Sequence, residues 1–499
     1  MIKLRAWKKS GIVFLLCVAT ALVAPAQTFT SLVRFKGSNG EYPSSPLVQG
    51  QDGSFYGTTE YGGANNGGEA FRISTSDRLR IYSFCSQTNC LDGGSPDGLV
   101  LNTDGSFYGT AEYGGVNAKG TVFKITPKGS LTTLYSFCPQ TGCADGSFPI
   151  GLVLGDDGIF YGTTAAGGTN NDGTVFKITP AGLLSTLYSF CSQANCADGL
   201  SPNAGMIQAS DGNFYGTTYE GGENESCGYL QFGCGTVFKI TPQGALTILY
   251  RFCSSSYPDC PDGNSPRGGL VQAADGSFYG STYGIALETG GTIFNITTGG
   301  ALSTLYTFCS LPGCADGQGP TGEVVQATDG NLYGTTLIGG LAGGGHYSAP
   351  GTIFELTAGG VLTTLYNFCS QPHCDDGGEP IEGLMQGTNG LLYGSTLSGG
   401  GGHCDIDDGC GTVFSLDAGL PPFVTFVRAA GKIGQTGGIL GQSFTGTTNV
   451  SLNGTSATFT VVSETFVRAT VPEGATTGDV TVTTPSGTLT SNVPFHVIP

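Results

Sequence analysis

Three short phrases, each repeated seven times, leave few folds open to this 499-residue chain. Asp-Gly-x-Phe-Tyr-Gly-Thr recurs with drift around Tyr56, Tyr108, Tyr161, Tyr215, Tyr279, Tyr333 and Tyr393, at intervals of 52, 53, 54, 64, 54 and 60 residues. Gly-Thr-Val-Phe-Lys-Ile-Thr recurs at Phe71, Phe123, Phe176, Phe238, Phe294, Phe354 and Phe414. Leu-Tyr-Ser-Phe ends at Phe35, Phe84, Phe137, Phe190, Phe252, Phe308 and Phe368. Within one unit, apolar runs at 151–154, 159–164, 174–179 and 183–190 are separated by turn residues such as Asp157-Gly158 and Pro180-Ala181-Gly182. No helical periodicity competes with them. Four antiparallel strands per unit predict an all-β fold, a seven-bladed β-propeller over residues 27–419. With each unit starting at its Gly-Leu-Val run, the seventh has three strands and its missing fourth lies at 29–35. A strand donated from the N-terminus would close the ring and cover its edges, whereas an open superhelix would leave them exposed.

Export is expected from the first residues. Lys3, Arg5, Lys8 and Lys9 precede an apolar run over 11–23, and Ala24-Pro25-Ala26 follows, the order of a signal peptide cleaved after residue 26. The run is short for a membrane anchor, and no later stretch suits a spanning segment. Cleavage removes four of the 19 basic residues and none of the 37 acidic ones, leaving a formal charge of −22. Such a surface is a poor partner for nucleic acid.

Sixteen of the 17 cysteines lie beyond Cys17 of the signal, in close pairs: Cys85 and Cys90, Cys138 and Cys143, Cys191 and Cys196, Cys253 and Cys260, Cys309 and Cys314, Cys369 and Cys374, with Cys227 and Cys234, and Cys404 and Cys410, elsewhere in the repeat. In an exported chain this spacing predicts local disulfides, with zinc as the lesser alternative.

The phrases at 104–111 (Asp-Gly-Ser-Phe-Tyr-Gly-Thr-Ala), 120–127 (Gly-Thr-Val-Phe-Lys-Ile-Thr-Pro) and 131–137 (Leu-Thr-Thr-Leu-Tyr-Ser-Phe) resemble the Gloeo/Verruco extracellular tandem repeat of bacterial exported proteins. The resemblance spans roughly residues 28–418 and implies export and repeat architecture, with no activity attached. Past Leu420-Pro421-Pro422 the phrases and cysteines stop. Residues 420–499 alternate Val, Thr and Phe between Gly-rich turns, predicting a small antiparallel sandwich with strands at 447–452, 457–462, 466–471, 479–484 and 494–498. Ile439-Leu440-Gly441-Gln442-Ser443-Phe444, Val450-Ser451-Leu452-Asn453-Gly454, Val471-Pro472 and Gly478-Asp479-Val480-Thr481-Val482 resemble the IPT/TIG immunoglobulin-like domain, which implies a spacer or interaction module.

Within a blade, both tight turns fall on one face, so the variable Gly-Gly loops fall on the other, where binding is expected. Tyr61, Tyr113, Tyr219 and Tyr283 enter that face and are the ligand-binding candidates. The repeated Tyr of Phe-Tyr-Gly is better suited to packing. The only Trp is Trp7, within the signal. Asp405, Asp407 and Asp408 could surround a calcium ion, although the distal Glu of an EF-hand is missing. Otherwise no cofactor is implied. His346, His373, His403 and His496 are scattered and suggest no catalytic residue, and nothing resembles a nucleophile elbow. The leading expectation is a secreted or cell-surface non-enzymatic protein that presents its loop face to an extracellular glycan or protein. The alternative is a secreted carbohydrate-active enzyme drawing on acidic loop residues such as Glu220, Glu223, Glu225 and Asp405, with a clustered carboxylate pair in a deep central pocket as its mark.

Overall fold

A computed structural model describes residues 27–74, 78–223, 233–254, 260–284, 290–341, 350–401, 404 and 409–498. The fold is all-β. Its only helical pieces among the described residues are single 3-10 turns in four of the cysteine loops, such as Thr88–Cys90. Each repeat forms one four-stranded antiparallel sheet with strands in chain order, as in Gly94–Leu101, Phe107–Tyr113, Thr121–Ile125 and Leu131–Ser136. The seventh sheet takes Met385–Gln386, Leu392–Thr396 and Thr412–Asp417 from the last repeat and adds Thr28–Arg34, paired antiparallel so that Phe29 lies opposite Leu416 and Arg34 opposite Thr412.

The repeated residues join neighbouring sheets. In each repeat the residue before a proline has positive φ, as in Ser95, Phe148, Ser201, Ser265, Gly319, Glu379 and Tyr42. Its amide donates to a carbonyl of the preceding sheet: Ser95 to Gly67, Phe148 to Lys119, Ser201 to Asp172, Ser265 to Cys234, Gly319 to Gly290 and Glu379 to Pro350. Tyr42 completes the set by donating to Cys410, linking the first sheet to the seventh. The proline that follows packs on the glycine opening Gly-Thr-Val-Phe in the previous sheet, as Pro149 does on Gly120, and a Cβ there would collide with the ring. Positive φ and this close approach together require glycine. The phrase Phe-Tyr-Gly is explained similarly. Tyr56 packs on Phe107 at 4.2 Å, Tyr108 on Phe160 at 4.2 Å and Tyr161 on Phe214 at 4.0 Å, while Tyr393 returns to Phe55 at 3.9 Å. The Asp of the Asp-Gly turns serves the turn: Asp157 accepts from the Ile159 amide at 3.0 Å and the Tyr161 hydroxyl at 2.9 Å.

Disulfides join Cys85 to Cys90, Cys138 to Cys143, Cys191 to Cys196, Cys253 to Cys260, Cys309 to Cys314, Cys369 to Cys374 and Cys404 to Cys410. Cys234 is also disulfide-bonded, and Cys227 lies outside the described residues. An aspartate organises most of these loops. Asp92 accepts from the Tyr82 hydroxyl at 2.8 Å and the Ser86 amide at 2.9 Å, and Asp198, Asp316 and Asp376 repeat the arrangement.

The first repeat departs from the pattern at Glu69, which stands where the others have the threonine of Gly-Thr-Val-Phe. Its fully buried carboxylate accepts from Arg78 at 2.8 Å and Arg80 at 2.9 Å. Replacing Glu69 alone with Thr leaves the half-buried Arg78 with no carboxylate and only the Asn39 carbonyl as acceptor, and should cost about 2–3 kcal/mol in denaturant unfolding. The triple change E69T/R78L/R80T, which restores the other repeats' residues, should recover most of that loss.

Residues beyond 420 form two four-stranded sheets, one from Thr425–Phe426, Thr436–Leu440, Phe466–Thr470 and Phe459–Ser463, the other from Thr455–Ser456, Asn449–Leu452, Val480–Thr484 and Gly487–Thr490. They enclose a shared core containing Val424, Phe444, Val450, Val467, Val482 and Phe495. The expected sandwich was wholly antiparallel, but Ala430–Lys432 pairs with His496–Ile498 in parallel. That pairing ties the last strand of the chain to one near the start of this segment. This unit rests on the tight-turn side of the repeats. Thr465 donates to the Gln51 carbonyl at 2.9 Å, Gln442 to Thr388 at 2.8 Å, and Leu440 and Phe466 pack in one cluster with Tyr56 and Phe107.

Candidate functional site

Where the seven repeats converge, their first strands and the segments leading into them line a cavity of about 450 Å³. Every repeat contributes, from Val48, Asp97, Ile150, Asn203, Arg267, Glu323 and Glu382 among others. Its volume falls in the range of about 300–1,000 Å³ usual for small-molecule sites. Glycines and short side chains (Gly98, Gly151, Ala204, Gly205, Gly268, Gly269, Gly322) keep it open, and its charge comes from Asp97, Glu323, Glu382 and Arg267.

These four charges sit in unlike settings. Asp97 accepts the Gly151 amide at 3.1 Å, yet burial and then the nearby Glu60 carboxylate raise its pKa to about 6. Burial alone raises Glu323 to about 7. Glu382 is raised well above the ordinary glutamate range, first by burial and then by Asp97 and Glu323. Among the described residues no hydrogen bond or ion pair engages the side chains of Glu323, Glu382 or Arg267. The protein surrounds both glutamates while they retain partial exposure to the cavity itself. Gly269 lies flush against the Glu323 carboxylate, which occupies the space that a Cβ would need.

Arg267 lies over the rings of Tyr219, at 5.3 Å, and Tyr283, at 4.7 Å. Both tyrosines immediately follow the second strand of their sheets, and their amides donate to Ser201 and Ser265, the residues before the prolines. Glu60 occupies the same register, with its amide donating to Tyr42, and Glu112 is its counterpart in the second sheet. Tyr61 and Tyr113 come one residue later and are exposed, at 38% and 44%. Strand alternation therefore separates the four tyrosine candidates. Tyr219 and Tyr283 border the cavity through Arg267, while Tyr61 and Tyr113 sit on the outer surface beside Glu60 and Glu112. The Glu60 carboxylate and then burial raise the Tyr61 hydroxyl, and burial then Glu60 and Asp97 raise Glu112.

Of the acidic candidates from sequence, Glu220 is half-buried near Asp172, which raises it after burial does. Glu225, Asp405, Asp407 and Asp408, with His346 and His403, lie outside the described residues. Sequence reasoning did not single out Asp97, Glu323, Glu382 or Arg267. They follow the repeat's proline by one, three, two and one residues, so no shared motif marks them.

Seven like sheets, each bonded to the next, define a tandem-repeat β-protein. The chain belongs to the Gloeobacter/Verrucomicrobia repeat family, whose model matches residues 8–230 and 226–462. No curated protein matches it. Its fold is similar to that of a fungal alcohol oxidase of the AA5 family solved with copper, at 10% identity over 95% of this chain and 100% of that one, TM-score 0.52. The extracellular domain of BT4673 from B. thetaiotaomicron aligns with 92% of this chain at 11% identity and a TM-score of 0.49, and the chain spans 46% of that protein's length in one structure and 40% in another. A PQQ-bound aldose sugar dehydrogenase from Streptomyces coelicolor aligns with 65% of this chain at 14% identity, over 94% of its own length, TM-score 0.39. At such identities the likeness concerns the fold alone.

Proposed function

We propose that this is an exported bacterial protein in which a seven-bladed β-propeller, residues 27–419, binds an extracellular glycan without transforming it, and an immunoglobulin-like IPT/TIG-type domain, residues 420–499, spaces or docks it. The observation that carries the reading is the cavity of about 450 Å³ lined by all seven repeats and bordered by Arg267 between Tyr219 and Tyr283. The bonds linking the seventh sheet to the first support the propeller. The signal-like N-terminus and the local disulfides support export, and no described helix is long and apolar enough to cross a membrane. With the C-terminal unit seated on the tight-turn side, the loop side is the one left for a ligand. Calcium at 405–408 remains part of the proposal.

One observation favours a second reading, a carbohydrate-active enzyme. Burial, with Asp97 and Glu323 nearby, raises Glu382 well above the ordinary glutamate range, the direction that suits a general acid. A glycan-array screen of residues 27–499, with and without calcium and with mass analysis of each retained glycan, separates the two. Intact, saturable binding to one glycan class is the expected result, and shortened glycans would establish the enzyme reading instead. Absence of glycan binding would point to a protein partner.

A further inference from the structure

We infer that the central cavity is built for a saccharide carrying a protonated amine, with Glu323 and Glu382 as the receptors for the ammonium group. This rests on the cavity being the ligand site. Two carboxylates that face the cavity and have no protein donor are open to donors supplied by a ligand, because an enclosed carboxylate is ordinarily bonded or paired. An ammonium group supplies three donors, and its positive charge draws the raised Glu323 and Glu382 carboxyls to their anionic form on binding. The remaining cation of the cavity, Arg267, is held by the faces of Tyr219 and Tyr283 and does not neutralise them.

The geometry also selects among cations. Asp97, Glu323 and Glu382 are not gathered closely enough to share one metal ion, and the only close ligand groups among the described residues contain disulfide sulfurs. Arg267 sets the polarity. It repels a second ammonium and favours hydroxyl or other oxygen-bearing groups. A side chain at Gly269 would displace the Glu323 carboxylate from its place in the cavity.

Isothermal titration of residues 27–499 at pH 7 with the glucosamine tetramer, its fully N-acetylated counterpart and spermine tests this. The glucosamine tetramer should bind at least about tenfold tighter than the acetylated one, as expected for one charge-assisted hydrogen bond to a buried carboxylate. In E323Q/E382Q, checked for folding by thermal melting, that preference should vanish. Equal binding of the two sugars would overturn the ammonium assignment and leave the glycan reading intact. Spermine binding as tightly as the glucosamine tetramer would overturn the saccharide assignment. Failure of all three overturns the inference, and the glycan array then decides separately whether the broader reading falls with it.

Discussion

A chain lacking residues 27–35 should lose at least about 5 kcal/mol of stability, the contribution expected from burying two to three large apolar side chains. Val33 and Phe35 are buried, and Phe29 stacks on Tyr366 at 4.0 Å and on Phe414 at 5.3 Å. The deletion also strips Thr412–Asp417 of its outer partner and exposes a strand edge, which promotes association. Circular dichroism melting with light scattering should show an early, aggregating transition. If the ring is closed by this strand, adding a synthetic peptide of residues 27–36 should restore part of the lost melting temperature. A truncated chain that melts like the full one would mean that the seventh sheet does not depend on the N-terminus.

The second large effect is a fall in stability as the pH rises from about 4.5 to about 7. Glu323, raised to about 7, and Asp97, raised to about 6, hold protons in the folded protein that the unfolded chain has released, so raising the pH through this window favours unfolding. Glu382 shifts in the same direction and extends the window upward. Glu323→Gln removes its share. At pH 8 it should stabilise the protein by about 2 kcal/mol, less than the full shift implies because the cavity admits solvent, and at pH 4 it should change nothing. At the acid end the sign reverses. In Asp92 and Asp316 burial is outweighed by hydrogen bonds from Tyr82 and Ser86, and from Ser310 and Tyr306, and both carboxyls are lowered. Their contribution is complete above the ordinary aspartate range and is lost as the pH falls through their lowered values. Melting temperatures of the wild type and E323Q between pH 3 and 9 check both limbs. Identical profiles for the two proteins would show that Glu323 is fully hydrated when folded.

The strand pattern was legible because each repeated phrase performs a local task that sequence states directly: Asp-Gly forms a turn, Phe-Tyr-Gly stacks one sheet on the next, and the glycine of Gly-Thr-Val-Phe admits the following proline. The assignment of 29–35 to the last repeat was legible as a gap in the count. The charged cavity was not. Asp97 in Pro-Asp-Gly, Glu323 in Gly-Glu-Val and Glu382 in Ile-Glu-Gly share neither motif nor register, and only the convergence of the repeats at the start of their sheets brings them to one space. The tyrosine candidates were chosen by residue type. A shift of one position, invisible in a list of aromatics, turns Tyr61 and Tyr113 outward and puts Glu60 and Glu112 in the register of Tyr219 and Tyr283. The parallel pairing of Ala430–Lys432 with His496–Ile498 was likewise hidden, because three-residue strands carry too little alternation to be read.

The described disulfides span five to seven residues, and none joins one repeat to another. A thiol therefore meets its correct partner long before any distant one, because closing a loop of that size is fast beside the assembly of sheets. Oxidation can proceed loop by loop along an emerging chain, with no shuffling phase to sort wrong pairs. Duplicating or deleting a repeat would carry a complete set of crosslinks with it, so a lineage of such proteins can change its number of units without reopening the problem of cysteine pairing.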